Sequence, residues 1–370
     1  MVQYIKSLEI RGFRTLSNLN ISKIGGVNLI TGKNNSGKSS VLEAIRILAS
    51  GGSLKTLSDI LRYREELLFD RTEMEESWKF TDATPVSNLF TGFPSIGSGN
   101  GVFSISSKAD FEGFFDSVSV TLGIYSRRVS DERVIYSEIL PGSDLTDGEI
   151  LPALAVRTAN TRRIVPLNRF YRRARSDIES QSKPCIYVDP FSSRSSNEMG
   201  ALWDAIALTD LEPEIVKALQ IVSKDILGVS IIGGGDRLGT RTAIAKSAGF
   251  SSPVPLRTFG DGVNRLFGII LSLCTAKGGI LLIDEIENGL HHSAQLEVWR
   301  TIFRLAETLK VQVFATSHSY DCVQAFQKAA IESPALGALF RLSKLKDRVV
   351  STSFSELELQ IATRDQIEVR

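Results

Sequence analysis

Gly32-Lys33-Asn34-Asn35-Ser36-Gly37-Lys38-Ser39 sets two glycines, a lysine and a hydroxyl at the spacing G-x-x-x-x-G-K-[ST] of a phosphate-binding P-loop. The glycines let the backbone curl so that successive N–H groups point inward, and a following helix adds its positive N-terminal end. A triphosphate is the ligand such a loop holds. Lys38 is expected to reach the β- and γ-phosphates, and the Ser39 hydroxyl to ligate Mg²⁺. Gly32, Asn34, Asn35, Ser36, Gly37, Lys38, Ser39 and Ser40 are the expected nucleotide contacts here.

A second set of chemistry-bearing residues lies far downstream. Gly279-Ile280-Leu281-Leu282-Ile283-Asp284-Glu285 is an aliphatic run ending in two carboxylates, the pattern of a strand buried on both faces whose C-terminal end meets a ligand. In a P-loop protein this is the Walker B position. Asp284 would hold the Mg²⁺ shell, and Glu285 would orient the attacking water. Phe314-Ala315-Thr316-Ser317-His318 closes the next strand, so His318 is expected at the same sheet edge. His291 and His292 follow the first of these strands. Adjacent histidines cannot both face one ion from a regular element, and no cysteine or acid completes a ligand set at usable spacing, which argues against a zinc site.

A third stretch, Thr258-Phe259-Gly260-Asp261-Gly262-Val263-Asn264-Arg265, precedes a helical pattern carrying Leu266, Ile269, Ile270, Leu273 and Cys274. Asp261 can cap that helix, whose N-terminus is a second anion site. One chain seldom needs two such sites for one phosphate chain, whereas a dimer does.

These residues must be held by ordinary elements. Val27 to Ile30 reads as a strand before the P-loop, while Val41, Leu42, Ala44, Ile45 and Leu48 recur at helical spacing after it, stopped by Gly51-Gly52. Ile5, Leu8, Ile10 and Phe13 open the chain near alternate positions. Residues 54 to 76 read as one or two helices with an acidic end from Glu65 to Glu76. Residues 102–107, 117–125 and 133–140 alternate apolar and polar side chains, predicting an antiparallel β-section. Residues 184 to 189 form a short apolar strand, 197 to 227 carry helical periodicity, and 230 to 252 look like a hairpin. Leu296, Trp299, Ile302, Phe303, Ala306 and Leu309 mark the inner side of a helix before Phe314.

With 370 residues, 42% apolar and 23% charged, the chain is long enough for a sizeable core. Lys plus Arg (43) balances Asp plus Glu (42), so no global basicity draws it to nucleic acid or anionic lipid. The one basic stripe runs from Arg157 to Arg175, with seven arginines, no acid and the Phe170-Tyr171 pair. It could follow a phosphate backbone with stacking aromatics, or be an exposed linker paired with acids such as those of residues 65 to 76. Cys185, Cys274 and Cys322 fit neither a zinc spacing nor a disulfide framework. No signal segment or membrane-length apolar run is present, so a cytoplasmic protein with no membrane contact is expected.

The order of P-loop, long insertion, Gly-Asp-Gly helix start, Leu-Leu-Ile-Asp-Glu, Ile286-Glu287-Asn288-Gly289-Leu290-His291 and Thr-Ser-His resembles the ABC-type head ATPases. Within them it is similar to the group of RecF, the SMC proteins and the OLD (overcoming lysogenisation defect) family, most of all to short OLD-like ATPases of anti-phage loci. The motifs cover residues 1 to 50 and 255 to 320. The resemblance implies an α/β P-loop NTPase of ABC type, with a mixed central sheet, an antiparallel β-section and a helical subdomain. It implies catalytic roles for Lys38, Glu285 and His318, and it makes Gly260, Asp261 and Gly262 the signature contact to the γ-phosphate held by another protomer. Glu287 to His291 would be the D-loop at that interface. Between Gln3 and Gln181 the chain has no glutamine for a Q-loop, and the signature lacks the fuller Ser-Gly-Gly form.

Three stretches are expected: a nucleotide-binding lobe at 1–190, a helical subdomain and connecting hairpin at 191–252, and at 253–370 the signature, Walker B, D-loop and switch-histidine lobe completing the core. Only about fifty residues follow His318, reading as a hairpin around Lys346-Asp347 and a final short helix, too few for the Toprim domain of OLD nucleases. The expected protein therefore binds and hydrolyses ATP with Mg²⁺, forms an ATP-sandwich homodimer or larger oligomer, and controls a separately encoded effector such as a nuclease, in anti-phage defence. Two alternatives stand beside it: a RecF-like DNA-binding repair ATPase, and an ATP-gated interaction module with little turnover.

Overall fold

The computed structural model describes residues 3–66, 84–96, 98–99, 101–108, 115–130, 133–139, 148–177, 183–190, 196–233, 241–333, 337–346, 348–354 and 358. Along the chain run β1 (Ser7–Phe13), β2 (Leu16–Ile21), β3 (Val27–Gly32), α1 (Lys38–Ala49), α2 (Leu54–Tyr63), β4 (Val102–Lys108), β5 (Ser117–Ser130), β6 (Arg133–Ile139), β7 (Glu149–Thr158), β8 (Arg162–Pro166), α3 (Leu167–Ser176) and β9 (Cys185–Val188). Then come α4 (Ser196–Asp204), α5 (Glu212–Leu219), β10 (Ile226–Gly233), β11 (Arg241–Ser247), β12 (Val254–Pro255), α6 (Asp261–Thr275), β13 (Ile280–Ile283), α7 (His292–Leu309), β14 (Gln312–Thr316), α8 (Tyr320–Glu332), β15 (Gly337–Leu345) and β16 (Arg348–Phe354).

The central sheet has the order β16-β15-β3-β14-β13-β9, parallel throughout except for β16. Its strands read as continuous apolar runs because both faces are covered. Alternation divides them between two cores. Leu281, Ile283, Val313 and Ala315 pack with α6, α7 and α8, while Ile280, Leu282 and Phe314 face α1. Trp299 of α7, buried, meets Phe326 of α8 edge-on at 4.9 Å. Beyond α1 lies an antiparallel sheet of order β2-β1-β4-β5-β7-β8, with β6 also paired to β5. Its inward side chains, among them Ile10, Ile105, Val120 and Val156, close the α1 core. A third sheet, β10-β11-β12, sits with α4 and α5 against α6.

Because β3, β9, β13, β14 and β15 run parallel, their C-terminal ends share one edge of the sheet, the edge where ligands bind in open α/β folds. The P-loop, Asp284, His318 and Asp189 all follow strands ending there. Buried Gln312 helps to align the layers: it accepts from Ile5 N at 2.9 Å and donates to Ile5 O and Gly25 O, both at 2.8 Å.

Several expectations change. Helical periodicity across 197–227 breaks into α4 and α5; Ile226 opens a strand and Val222 is exposed, because β10 pairs with β11 along its length. The arginine stripe is no linker. It spans the end of β7, β8 and α3, elements whose short strands carry more charge than alternation can register. Phe170 is fully buried and Tyr171 half-buried, so they form no stacking surface; among the described residues the stripe's ion pairs run from Arg162 to Glu138 and from Arg163 to Asp177, while Asp70, Glu73, Glu75 and Glu76 of the expected acidic partners lie outside the described residues. Helix α2 ends at Tyr63; residues 67–83, Asp347 and the expected terminal helix lie outside the described residues. No helix among the described residues is long and apolar enough to cross a membrane.

Candidate functional site

Loop geometry at residues 32–38 follows from its glycines. Gly32 has φ 144, Asn35 φ 61 and Gly37 φ 91, a left-handed curl that only glycine or asparagine adopts readily. A methyl on Gly32 would sit 2.5 Å from Leu342 O of β15 and 2.7 Å from Ser36 Oγ. Lys38 opens α1 and is buried; its Nζ donates to Gly32 O at 2.8 Å and Lys33 O at 3.1 Å, folded back along its own loop. Burial holds the Lys38 ammonium below the ordinary lysine range, opposed by the charges of Glu285, Asp284 and Glu287. Those three carboxylates therefore lie within electrostatic reach of it. Ser36 Oγ is buried without a hydrogen-bond partner, Asn34 and Asn35 are exposed, Ser39 is half-exposed and Ser40 is buried.

Asp284 directly follows β13, with both carboxylate oxygens held. Thr316 Oγ1 donates to Oδ1 at 2.5 Å, and Tyr187 of β9 donates to Oδ2 at 3.2 Å. The same Thr316 hydroxyl accepts from Glu285 N at 2.8 Å. Burial first, then Asp284, pushes the Tyr187 phenol well above its usual range, so it stays a donor. Tyr63, at the end of α2, is pushed up to about 12 by burial, then by Asp189 and Asp284. Glu285 sits at φ 48, which turns its side chain off the strand line, and Asn288 Nδ2 donates to its Oε2 at 2.8 Å.

His318 faces two carboxylates, with Nδ1 at 3.1 Å from Glu287 Oε1 and 3.9 Å from Glu285 Oε1. His291 instead N-caps α7, accepting from Ser293 N, and its ring meets His292 at 4.2 Å. No cluster of three His, Cys, Asp or Glu side chains fit for a metal occurs among the described residues. Mg²⁺ needs none: it commonly takes one or two protein oxygens and completes its shell from phosphates and water. Ser39 and Asp284 offer that donor set, and the curled loop with its orphaned Ser36 hydroxyl fits a phosphate chain.

Gly260 to Gly262 stand apart. Gly260, at φ 96, is the N-cap of α6; Asp261 is exposed in the first turn and makes no capping hydrogen bond, so the expected aspartate cap is replaced by a glycine turn. Asp261 still adds favourable charge near the helix N-terminus. Among the described residues no hydrogen bond or ion pair joins 260–262 to the P-loop. They meet the 285–291 loop instead, where a methyl on Gly262 would lie 2.5 Å from Gly289 O. Arg265, one turn on and buried, donates to the carbonyls of Asp189 and Asp284, the latter at 2.8 Å, and so ties α6 to two strand ends.

Tyr187, Asp189 and Arg265 had no assigned role in the sequence. One signal was there: Ile186-Tyr187-Val188-Asp189 is a second apolar run ending in an acid, and Asp284 N donates to Val188 O at 2.9 Å beside it. Thr316 was visible only as part of a motif, since its bonds depend on β14 lying against β13.

The sequence model of the family described as "AAA domain, putative AbiEii toxin, Type IV TA system" matches residues 127–321, and a second, described as AAA ATPase domain, matches 4–87. A Helicobacter pylori protein named ATP/GTP phosphatase is 22% identical over 355 residues, covering 89% of each chain. The DNA replication and repair protein RecF of Thioalkalivibrio sulfidiphilus is 42% identical over 52 residues, 14% of each chain. Among solved structures, an SmcHead bound to the C-winged helix domain of ScpA superposes with TM-score 0.51 at 13% identity, covering 95% of this chain and 98% of that one. An Smc head domain with an extended coiled coil, bound to the C-terminal domain of ScpA derived from Pyrococcus furiosus, gives TM-score 0.50 at 13% identity, over 98% and 99%. The architecture is that of the SMC head and ABC-type ATPases.

Proposed function

The chain belongs to the AAA-domain family whose sequence model spans residues 127–321, and from that premise we propose that it binds and hydrolyses ATP, assembles around it, and controls an effector carried by another polypeptide. The observation that carries this reading is the convergence on one sheet edge of Lys38 with Asp284, Glu285 and His318, the first three coupled by charge. Backbone N–H groups of 33–39 would hold the phosphates, with Lys38 exchanging the Gly32 and Lys33 carbonyls for the β- and γ-phosphates. Ser39 and Asp284 would hold Mg²⁺, which when bound neutralises charge on the phosphates. Glu285 would orient the attacking water and His318 would contact the γ-phosphate. Exposed Gly260 and Asp261, with half-buried Gly262, would reach the nucleotide of a second copy, since in this chain they lean on the 285–291 loop.

A role in phage defence, close to the OLD-like ATPases, is the finer part of the proposal. It rests on the resemblance of the motifs alone, while the solved SMC heads bound to ScpA support capture of a partner chain. A RecF-like reading is kept for one observation: Arg169, Arg172, Arg173 and Arg175 share the solvent face of α3, and no carboxylate pairs with them among the described residues.

Light scattering with phosphate release tests the main reading. Wild type is expected to gain mass with ATP and Mg²⁺ and to release phosphate; Lys38→Ala should do neither, and Glu285→Gln should assemble without turnover. Normal hydrolysis by Glu285→Gln would remove its assigned role. A mass indifferent to ATP would remove the in-trans contact.

A further inference from the structure

The loop that follows Glu285 carries a carboxylate to which the hydrolytic scheme above gives no role in the reaction. Glu287 is 8% exposed at its side chain, and among the described residues no Lys or Arg forms an ion pair with it. Its Oε1 accepts from His318 N at 2.8 Å and from Ser319 N at 3.2 Å, and lies 3.1 Å from His318 Nδ1. Ser319 is the N-cap of α8, so the carboxylate also sits at that helix's positive end. Its Oε2 is buried without a hydrogen-bond partner. Burying a carboxylate is costly unless hydrogen bonds offset it, so this one is kept where the turn bearing His318 needs an anchor.

We propose that Glu287 is a positioning residue for ATP hydrolysis, fixing the turn that presents His318. Two backbone bonds set the path of the chain at 318–319, and the contact at Nδ1 occupies one edge of the ring. Nε2 is not held by this contact. Glu287 belongs to the same short loop as Asn288, which holds Glu285, and Gly289, which touches Gly262 of α6. A shift of that loop therefore moves both hydrolytic side chains together. This inference rests on the hydrolytic reading above.

The test is a double-variant cycle on His318→Ala, Glu287→Ala and their combination, with Glu287→Gln as the conservative variant, read as kcat, KM for ATP and melting temperature. Glu287→Ala should lower kcat roughly 10–100-fold, the range for partners that orient a reactive group, with KM within about threefold of wild type. In the His318→Ala background it should cost little more, because residues acting as a unit are not additive. Glu287→Gln keeps an oxygen able to accept both backbone bonds and should recover most of the lost rate. Wild-type kcat in Glu287→Ala would overturn the inference, as would losses that multiply in the double variant, or a Glu287→Gln that melts like wild type yet is no faster than Glu287→Ala. Failure of the underlying reading looks different: it is a wild type that releases no phosphate, or His318→Ala at full rate.

Discussion

One hydroxyl, that of Thr316, donates to Asp284 and accepts from Glu285 N, and it is fully buried. Valine has nearly the same shape without the oxygen, so Thr316→Val would leave a part-buried N–H unsatisfied and free one side of the Asp284 carboxylate. A cost of about 1–3 kcal/mol in stability is expected. The larger effect should be on function: the Mg²⁺ concentration for half-maximal phosphate release should rise, because Asp284 loses one of its two orienting donors. An unchanged Mg²⁺ requirement in a folded Thr316→Val would mean that Asp284 is placed by the strand alone. Cys322 and Cys274, by contrast, are buried thiols pushed up to about 12, so alkylation of the native protein should leave both unmodified.

Helix α1 carries the P-loop lysine at its start and is pinned further along by a buried ion network. Glu43 meets Arg14 at 2.7 Å and Arg64 at 2.7 Å, and Arg14 also grips Glu66 at 2.7 and 3.1 Å. Arg14 holds the tight β1–β2 turn at φ 49, and Arg64 and Glu66 follow α2, so three elements are tied to one helix. Replacing a buried pair by apolar groups is often neutral, but removing one partner strands the other charge. Arg14→Ala should therefore lower stability by about 3–5 kcal/mol by urea denaturation. Arg14→Met with Glu43→Leu should recover part of that. If Arg14→Ala unfolds like wild type, the network is wet and contributes little.

At the scale of the whole molecule, near-neutral net charge hides a local asymmetry. The four α3 arginines lie on one face of an otherwise amphipathic helix whose Leu167, Phe170 and Ala174 are buried. If that face binds a phosphate backbone, affinity for double-stranded DNA should fall steeply with salt, and replacing all four arginines by Ala should flatten the slope. Hydrolysis without DNA should be unchanged. Salt-independent binding, or binding that survives the four replacements, would leave the surface to a protein partner. The proposed docking of a second copy at Gly260–Gly262 would use another element, the start of α6, so the two surfaces are separable by mutation.

Local chemistry is what the amino-acid order specifies unaided. The P-loop, the Asp284-Glu285 strand end and the His318 strand end were legible because each motif is short, contiguous and carried by an apolar run whose period needs no partner to recognise. The β4 to β6 section and the β15–β16 hairpin were legible for the same reason. Tertiary structure decided the rest. Tyr187 and Thr316 orient Asp284 only because β9 and β14 flank β13 or lie beside it in the same parallel sheet. Arg14 finds Glu43 across 29 positions of chain through an α1 face that sequence marks only as half-polar. Glu287 reaches the turn at 318 because α7 returns the chain to the strand next door. Each of these depends on contacts between segments distant in sequence, whose energies are set by packing and desolvation, and neither is written into the spacing of residues along one stretch.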